Sequence, residues 1–393
     1  MSGHLTAIES AALESIAIGP MLDQVVGWAN INSGSRNIAG LDAVAGLLAE
    51  AFSVLPGDMA LVDPAEAGCG RNLHLTVRPQ APVQLLLTGH MDTVFAADHA
   101  FQAVGAVDAL GVIGGPGIAD MKGGLAVMLA ALRAVEASPL AYRVGYEVVL
   151  NSDEEIGSPG SSPLIARAAR GKAAALTYEP SLLPDGTFAS ARPGSGNFAA
   201  TVQGKAAHAG RNPQDGRNAL VAAADLALRL ARAVRPGLSV NPARMEGGGP
   251  DNVVPEHAVL HFNVRPLTHE DEDAARSTIA DAIREVGKVH DVVIRLEGKF
   301  GRPPKPFDAR TERLFELVRR CGADLALPIA WKPGGGVCDG NNIAACGVPV
   351  IDTMGVRGGA IHSADEFLIV ESLGERAWLS TLALLRLAGG ELP

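Results

Sequence analysis

The sequence predicts an α/β protein with a larger domain on a mainly parallel sheet and a smaller α+β domain inserted into it. Three observations predict this. Short apolar runs alternate with helical-period segments up to Tyr178. Between Asn197 and Leu296 the order changes to strand, helix, two strands, helix and strand, the split ferredoxin-like arrangement. After Phe307 the alternating pattern returns.

Residues 1–50 read as helical. Val25, Trp28 and Ala29 recur at helical spacing, and Leu41 to Phe52 is a second apolar stretch after the Ser33-Gly34-Ser35 break. Gln84 to Thr88 reads as a short buried strand. Lys122 to Ala137 reads as a helix after the Gly-rich residues 111–117. Tyr142 to Asn151 and Ala173 to Tyr178 read as strands. In the middle segment, strands are expected at Asn197 to Gly204, Leu238 to Met245, Ala258 to Arg265 and Val289 to Leu296. Helices are expected at Asn218 to Val234 and His269 to Val286, the latter with Ile279, Ile283 and Val286 on one face. Beyond Phe307 come a helix, a Gly-rich loop, a strand from Val348 to Thr353 and a last helix near Glu371 to Leu387. The Pro-rich flanks Arg192-Pro193-Gly194 and Arg302-Pro303-Pro304 mark the boundaries. The expected domains are therefore 1–191 and 304–393, the two parts of one catalytic domain, with 192–303 inserted.

Composition excludes several classes. The 393 residues are 47% hydrophobic and 19% charged, so a full core is within reach. With 33 Lys and Arg against 43 Asp and Glu, the net charge is -10, which argues against nucleic-acid and anionic-membrane surfaces. Aromatics are only 4%, too few for base-stacking platforms. The apolar stretches fall short of the ~18 residues of a membrane span; the one at Gly123 to Leu132 stops at Arg133. The N-terminus carries Glu9 and Glu14 and no basic run, so no secretory signal is expected. The four cysteines form no CxxC pair. These features predict a reduced, cytoplasmic protein and say nothing against a small substrate.

Four segments carry candidate chemistry, each expected just after a strand, where open α/β sheets place their sites. Gly-His-Met-Asp-Thr-Val at 89–94 supplies His90 and Asp92, a ligand type and a carboxylate able to orient it. Asp-Met-Lys-Gly-Gly supplies Asp120 at a loop-to-helix junction. Ser-Asp-Glu-Glu-Ile-Gly-Ser at 152–158 supplies Glu154 and Glu155, and Glu179 ends the next strand. Clustered acids of this kind are costly without a compensating cation. His362 follows Gly358-Gly359. Read alone, each fits a structural use too: Asp92 as a turn cap, Asp120 as a helix N-cap, the Glu pair as a solvated acidic turn, Glu179 as a surface residue before proline, His362 as a loop residue. Together, His90, Asp120, Glu155, Glu179 and His362 make two imidazoles and three carboxylates. That set suits two divalent ions sharing one bridging carboxylate, and it leaves Glu154 over. A thiolate-free set favours Zn, with Co or Mn as alternatives.

These segments, in this order, resemble the zinc-dependent exopeptidases and deacylases of the carboxypeptidase G, acetylornithine deacetylase and succinyl-diaminopimelate desuccinylase family. The resemblance runs from about residue 80 to 370 and implies a zinc-exopeptidase catalytic domain with the insert as lid and dimerisation surface. It implies Asp120 as bridging ligand, His90 and Glu179 completing one metal, Glu155 and His362 the other. It implies Glu154 as general base and Asp92 as the residue orienting His90. In the insert, Gly204-Lys-Ala-Ala-His-Ala-Gly210 implies His208 as an oxyanion donor, commonly to the partner subunit of a homodimer. Asn252 and Arg265 match positions that hold the substrate carboxylate, and Arg265 at a strand end is suited to a bidentate pair. The glycines at 334–336 match a substrate-lining stretch, although Val337-Cys338-Asp339 follows where relatives often have Thr-Asp.

The expected reaction is metal-assisted amide hydrolysis. Lys299-Phe-Gly-Arg-Pro-Pro and Pro333-Gly-Gly-Gly resemble the carboxypeptidase G branch, so a glutamate-carboxypeptidase-like activity is expected, with an N-acyl-amino-acid deacylase as the alternative. A dinucleotide enzyme is disfavoured, because 111–117 does not spell G-x-G-x-x-G and no expected strand directly precedes it.

Overall fold

The computed structural model describes residues 5–393; residues 1–4 of the expected N-terminal helical stretch lie outside the described residues. The chain divides into two compact units. One comprises Met1–Ala191, Phe307–Gly334 and Cys338–Pro393, the other Arg192–Pro306 and Gly335–Val337.

The larger unit is built on a six-stranded sheet in the order Asp58–Val62, Asn72–Val77, Val144–Asn151, Val83–His90, Ala174–Thr177, Val350–Ile351. The last four strands run parallel, and Asn72–Val77 pairs antiparallel with both its neighbours. Central strand Val83–His90 is buried along nearly its whole length, as a parallel strand covered on both faces must be. Alternate side chains serve opposite layers. Leu85, Leu87, Val148, Leu150, Ala174 and Leu176 join one core with helices Ile18–Ala29, Gly123–Glu136 and Glu371–Gly389. Leu86, Val149 and Ala175 join the other with Ser162–Ala169 and Asp339–Ala344. Helix Gly123–Glu136 is almost wholly apolar because it is buried on most of its circumference. Its close approach to the sheet needs Gly124, where a Cβ would lie 1.9 Å from the Tyr178 carbonyl oxygen.

The smaller unit has a four-stranded antiparallel sheet in the order Leu238–Gly247, His257–Pro266, Ser195–Gln203, Val293–Arg302. Helices Ala219–Arg232 and His269–His290 complete the β-α-β-β-α-β order. They cover one face, burying Ala200, Val202, Leu260, Phe262, Leu226, Ile279 and Val286 together. Strand Ser195–Gln203 alternates buried with less buried residues, the mark of a one-sided sheet.

Three local expectations are corrected. The strand expected at Val289 to Leu296 begins only at Val293, because helix His269–His290 runs four residues past Val286. Thr268 caps that helix, Glu270, Asp271 and Glu272 fill its first turn and Lys288 and His290 its last, in accord with the helix dipole. Asp291 ends it in the left-handed region at φ 52°. Strands Asp58–Val62 and Asn72–Val77 were not expected, although Leu73, Leu75 and Val77 alternate with Asn72, His74 and Thr76 along the second. Asp120 is no N-cap. It lies in a wide turn, Ile118–Lys122, whose Gly123 N–H returns to the Ile118 carbonyl, and the Asp120–Met121 peptide is cis. Among the described residues, no helix is long and apolar enough to cross a membrane.

Candidate active site

The C-terminal ends of the parallel strands deliver the acidic and imidazole side chains of the larger unit to one place. His90 is the last residue of strand Val83–His90, and Glu154 and Glu155 open a short turn after strand Val144–Asn151. Glu179 follows Ala174–Thr177. Wide turn Ile118–Lys122 contributes Asp120. His362 comes from a loop between strands Gly358–Gly359 and Phe367–Ile369, which pair with each other. Its backbone is left-handed at φ 63°.

Asp120 stands at the centre. Its Oδ1 is 3.0 Å from His90 Nε2 and its Oδ2 is 3.3 Å from His362 Nε2. His362 Nε2 is also 3.1 Å from Glu155 Oε2, and His90 Nε2 is 3.6 Å from Glu179 Oε2. Donor atoms of His90, Asp120 and Glu155 lie within 4.8 Å of one another, as do those of His90, Glu154 and Glu179. The second group brings Glu154 within ligand reach as well.

Asp92 does more than orient an imidazole. His90 Nδ1 is 3.0 Å from the Asp92 carbonyl oxygen and 3.4 Å from its Oδ1. With Nδ1–H donating to that carbonyl, loss of the Nε2 proton to an incoming ion would leave Nε2 as the ligand nitrogen. The Asp92 carboxylate accepts the backbone N–H groups of Glu154 (3.1 Å) and Glu155 (3.2 Å) and the Ser35 hydroxyl (2.6 Å). One buried residue thus fixes the acidic pair through its carboxylate and the imidazole through its carbonyl.

The electrostatics show what this packing costs. Burial raises Glu155 to about 7 and Glu179 to about 8, and the neighbouring Asp120 charge adds to both. The Asp120 and Glu155 carboxylates hold the His362 proton up to about 11. Burial favours a neutral His90, yet the Glu179, Asp120 and Asp92 carboxylates raise it well above its usual value. Burial opposes an ionised Asp120, but hydrogen bonds from His362 and His90 hold it below the carboxylate range. Protons therefore take up negative charge in this cluster, and a divalent cation would displace them.

The residues fit such ions. Two imidazoles and several carboxylates converge without a thiolate, a donor set for Zn, Co or Mn. Glu179 Oε1 is buried and has no hydrogen-bond partner. An unpartnered carboxylate oxygen in such a place is costly unless a cation receives it. His90 with Glu179 and His362 with Glu155 could hold one ion each, and Asp120 has one oxygen toward each imidazole.

Two supporting residues adjoin ligand positions in sequence, Lys122 within Asp-Met-Lys-Gly-Gly and Glu366 four residues after His362. Glu366 accepts the backbone N–H groups of Gly117, Ala119 and Asp120 at 2.9–3.1 Å and so holds the Asp120 turn. Burial raises it to about 7. Lys122 is fully buried, donates to Ser33 Oγ at 2.9 Å, and is lowered by burial to about 8. Ser33 in turn donates to the Met91 carbonyl. The only sequence signal for either is a charged residue adjoining a ligand motif.

The remaining candidates belong to the smaller unit. His208 is exposed at the end of short strand Ala207–His208, which pairs with Val253–Val254. Its Nδ1 accepts the N–H groups of Gly210 (3.1 Å) and Arg211 (3.2 Å). That fixes the tautomer, so Nε2 carries the proton and is a donor. Asn252 adjoins it, its carbonyl accepting the Ala209 N–H. Arg265 lies further along the unit, on strand His257–Pro266. Its Nε donates to Asn263 Oδ1 (3.0 Å) and its Nη1 to the Gly335 carbonyl (2.9 Å), which hold the guanidinium and leave Nη2 and one Nη1 hydrogen over.

Comparison with known proteins gives the family. The sequence pattern of peptidase family M20/M25/M40 matches residues 86–385. The chain is 28% identical to carboxypeptidase G2 of Pseudomonas sp. (strain RS-16) over 390 residues, covering 98% of this chain and 92% of that protein. It is 29% identical to succinyl-diaminopimelate desuccinylase of Xanthomonas oryzae pv. oryzae (strain PXO99A) over 320 residues, covering 77% of this chain and 83% of that one. Among solved structures, the YXEP protein of Bacillus subtilis, described as a dinuclear metal-binding peptidase, superposes with a TM-score of 0.70 at 13% identity. The match covers 95% of this chain and 98% of that one.

Proposed function

The chain belongs to peptidase family M20/M25/M40, and from that premise we propose that it hydrolyses the amide bond next to a free-carboxylate amino acid, in the manner of a glutamate carboxypeptidase. The observation that carries the reading is Asp120, with one carboxylate oxygen toward each of two imidazoles. His90 and Glu179 would hold one divalent ion, His362 and Glu155 the other, with Asp120 between them and Zn the first choice. When bound, such a pair lowers the pKa of water toward neutrality and polarises a carbonyl. Glu154 takes the proton of the attacking water and delivers it to the leaving amine nitrogen. Asp92 keeps Glu154 and Glu155 at fixed positions through their N–H groups. His208, with its proton on Nε2, donates to the oxyanion of the tetrahedral intermediate. Arg265 and Asn252 hold the free carboxylate of the substrate.

The resemblance of residues 192–303 to a lid and dimerisation domain supports a homodimer in which His208 serves the partner's site. His208→Ala should then lower kcat more than it raises KM, because an oxyanion donor acts in the transition state. Mixing His208→Ala chains with Glu154→Gln chains should restore activity in heterodimers. No rescue in fully exchanged mixtures would place His208 in its own subunit's site or outside catalysis.

Substrate choice turns on Arg265. Arg265→Ala should cut activity on free-acid substrates by about tenfold to a hundredfold, the worth of a charge-assisted pair of about 1.5–3 kcal/mol. Amidated analogues, already poor, should change little. Equal wild-type rates on free-acid and amidated substrates would remove Arg265 from the site. The similarity to a desuccinylase favours a second reading, an N-acyl-amino-acid deacylase. Preference for an N-acetyl basic amino acid over a substrate with C-terminal glutamate would select it.

A further inference from the structure

In the smaller unit both helices pack on one face of the four-stranded sheet, and the other face is open. Side chains alternate between the two along strand His257–Pro266. Phe262 and Val264 are buried against the helices, whereas Asn263 and Arg265 are half-buried on the open side.

The open side carries asparagines at one level of three adjoining strands. Asn263 is the cross-strand partner of Asn241 on one neighbour and of Asn197 on the other. Asparagine is a poor strand residue, so such a row runs against local preference. Departures of this kind gather where a site requires them.

The contacts of Asn263 show what it does there. Its Oδ1 accepts the Arg265 Nε–H at 3.0 Å. Its Nδ2 donates to Asn197 Oδ1 (2.8 Å), to the Gly196 carbonyl (3.1 Å) and to Ser195 Oγ (3.1 Å). These partners set the orientation of the amide. A guanidinium can only donate and the Gly196 carbonyl can only accept, so a turned amide would set donor against donor and acceptor against acceptor. The sheet thereby presents a fixed oxygen to Arg265. A second tether, from Nη1 to the Gly335 carbonyl at 2.9 Å, holds the far end of the guanidinium. Arginine is a long side chain with many rotamers. Two tethers fix its head before a ligand arrives, and Nη2 keeps both hydrogens for that ligand.

We propose that Asn263 is a positioning residue, which holds the Arg265 guanidinium ready for the carboxylate of the substrate and so sharpens the preference for free-acid substrates. The proposal rests on the reading of Arg265 as the carboxylate contact. Asn263 touches no reacting atom and acts through Arg265. A head fixed in advance binds without the loss of freedom that an untethered arginine would suffer at that moment.

The test measures kcat and KM of the metal-loaded protein on N-benzoylglycyl-L-glutamate and its α-carboxamide, or on N-acetyl-L-arginine and its carboxamide if the wild type prefers that class. The quantity read is the ratio of kcat/KM on the acid to that on the amide. Arg265→Ala should lower this ratio by the full amount expected for loss of the guanidinium. Asn263→Ala should lower it by roughly threefold to tenfold, the worth of ordering one long side chain. The loss should lie in KM, with kcat and the rate on the amide close to wild type. Asn263→Asp keeps an oxygen for the Nε–H and should retain the ratio. Asn263→Ala added to Arg265→Ala should change it no further, because the two residues act as one unit. If Asn263→Ala fails to fold, Asn263→Ser, whose hydroxyl ends short of Nε, takes its place. A ratio unchanged in Arg265→Ala, or no turnover of either pair by the wild type, would overturn the reading of Arg265 and this inference with it. A ratio that falls in Arg265→Ala but holds in Asn263→Ala and Asn263→Ser would overturn the inference alone. Equal losses on acid and amide, or a further fall in the Arg265→Ala background, would make Asn263 a residue of the sheet only and overturn it likewise.

Discussion

Glu154→Gln should lower turnover by roughly 10²–10⁴, the usual worth of a positioned general base, while metal content stays normal. The amide keeps the shape of the side chain and its packing but cannot accept a proton from water. The neighbouring Glu155→Gln should behave differently, losing metal along with activity. The two residues are adjacent in sequence and share one anchor, since both N–H groups bond to the Asp92 carboxylate. Their side chains nevertheless part, with Glu155 reaching His362 at 3.1 Å and Glu154 lying with His90 and Glu179. Because Glu154 is also within ligand reach, the comparison has a sharp alternative outcome. Metal lost in Glu154→Gln but kept in Glu155→Gln would exchange the two roles. Full turnover in Glu154→Gln would place the base elsewhere. Metal analysis beside steady-state kinetics on both variants decides.

The residues that meet at this centre were legible in the sequence because their chemistry is local. A His at a strand end, an acidic pair after another strand and a His after two glycines each fit a structural use alone, and only as a set, in the order of the family they resemble, do they announce a metal site. Their convergence follows from topology, since parallel strands point their C-terminal ends the same way. What escaped depends on burial. Glu366 reads as one more acid in Ser-Ala-Asp-Glu, and only the fold brings it under the three N–H groups of the Asp120 turn. Lys122 reads as the charged end of a helix start, yet it is sealed inside and bonded to Ser33, 89 positions away. Arg376 sits in a helix whose sequence gives no hint that this arginine is inside and Arg386 is paired to Glu9 and Asp324. The strand expected from Val289 failed for a different reason. The β-branched run Val-Val-Ile favours a strand, but the helix before it gains from its charged last turn and carries on to His290.

Asp120→Ala should have the larger effect, abolishing both metal retention and activity. The Asp120 carboxylate pairs with both imidazoles, one oxygen to each, so its loss weakens two ion sites at once. A divalent ion supplies several kcal/mol of transition-state stabilisation, and each 1.36 kcal/mol is tenfold in rate, so a fall of about 10³-fold or more is expected. The same loss should register in stability. An ion bound only to the folded state stabilises it by RT ln(1 + [L]/Kd), about 2.7 kcal/mol at a hundredfold excess over Kd. The wild-type protein should therefore melt at a lower temperature after chelation and recover when Zn, Co or Mn is returned. In Asp120→Ala the chelator should make little difference, because little metal is held to remove. The metal-free proteins separate the role of ligand from that of structural support. There Asp120 is an anion paired to two protonated histidines, beside Glu155 and Glu179 that burial has already driven toward neutrality. Removing it strips the histidines of their partner and relieves the two glutamates, so the metal-free melting temperature should move less than the metal-dependent increment. An Asp120→Ala protein that binds two ions per chain with wild-type affinity would remove the bridge, and with it the assignment of His90 and His362 to one shared centre.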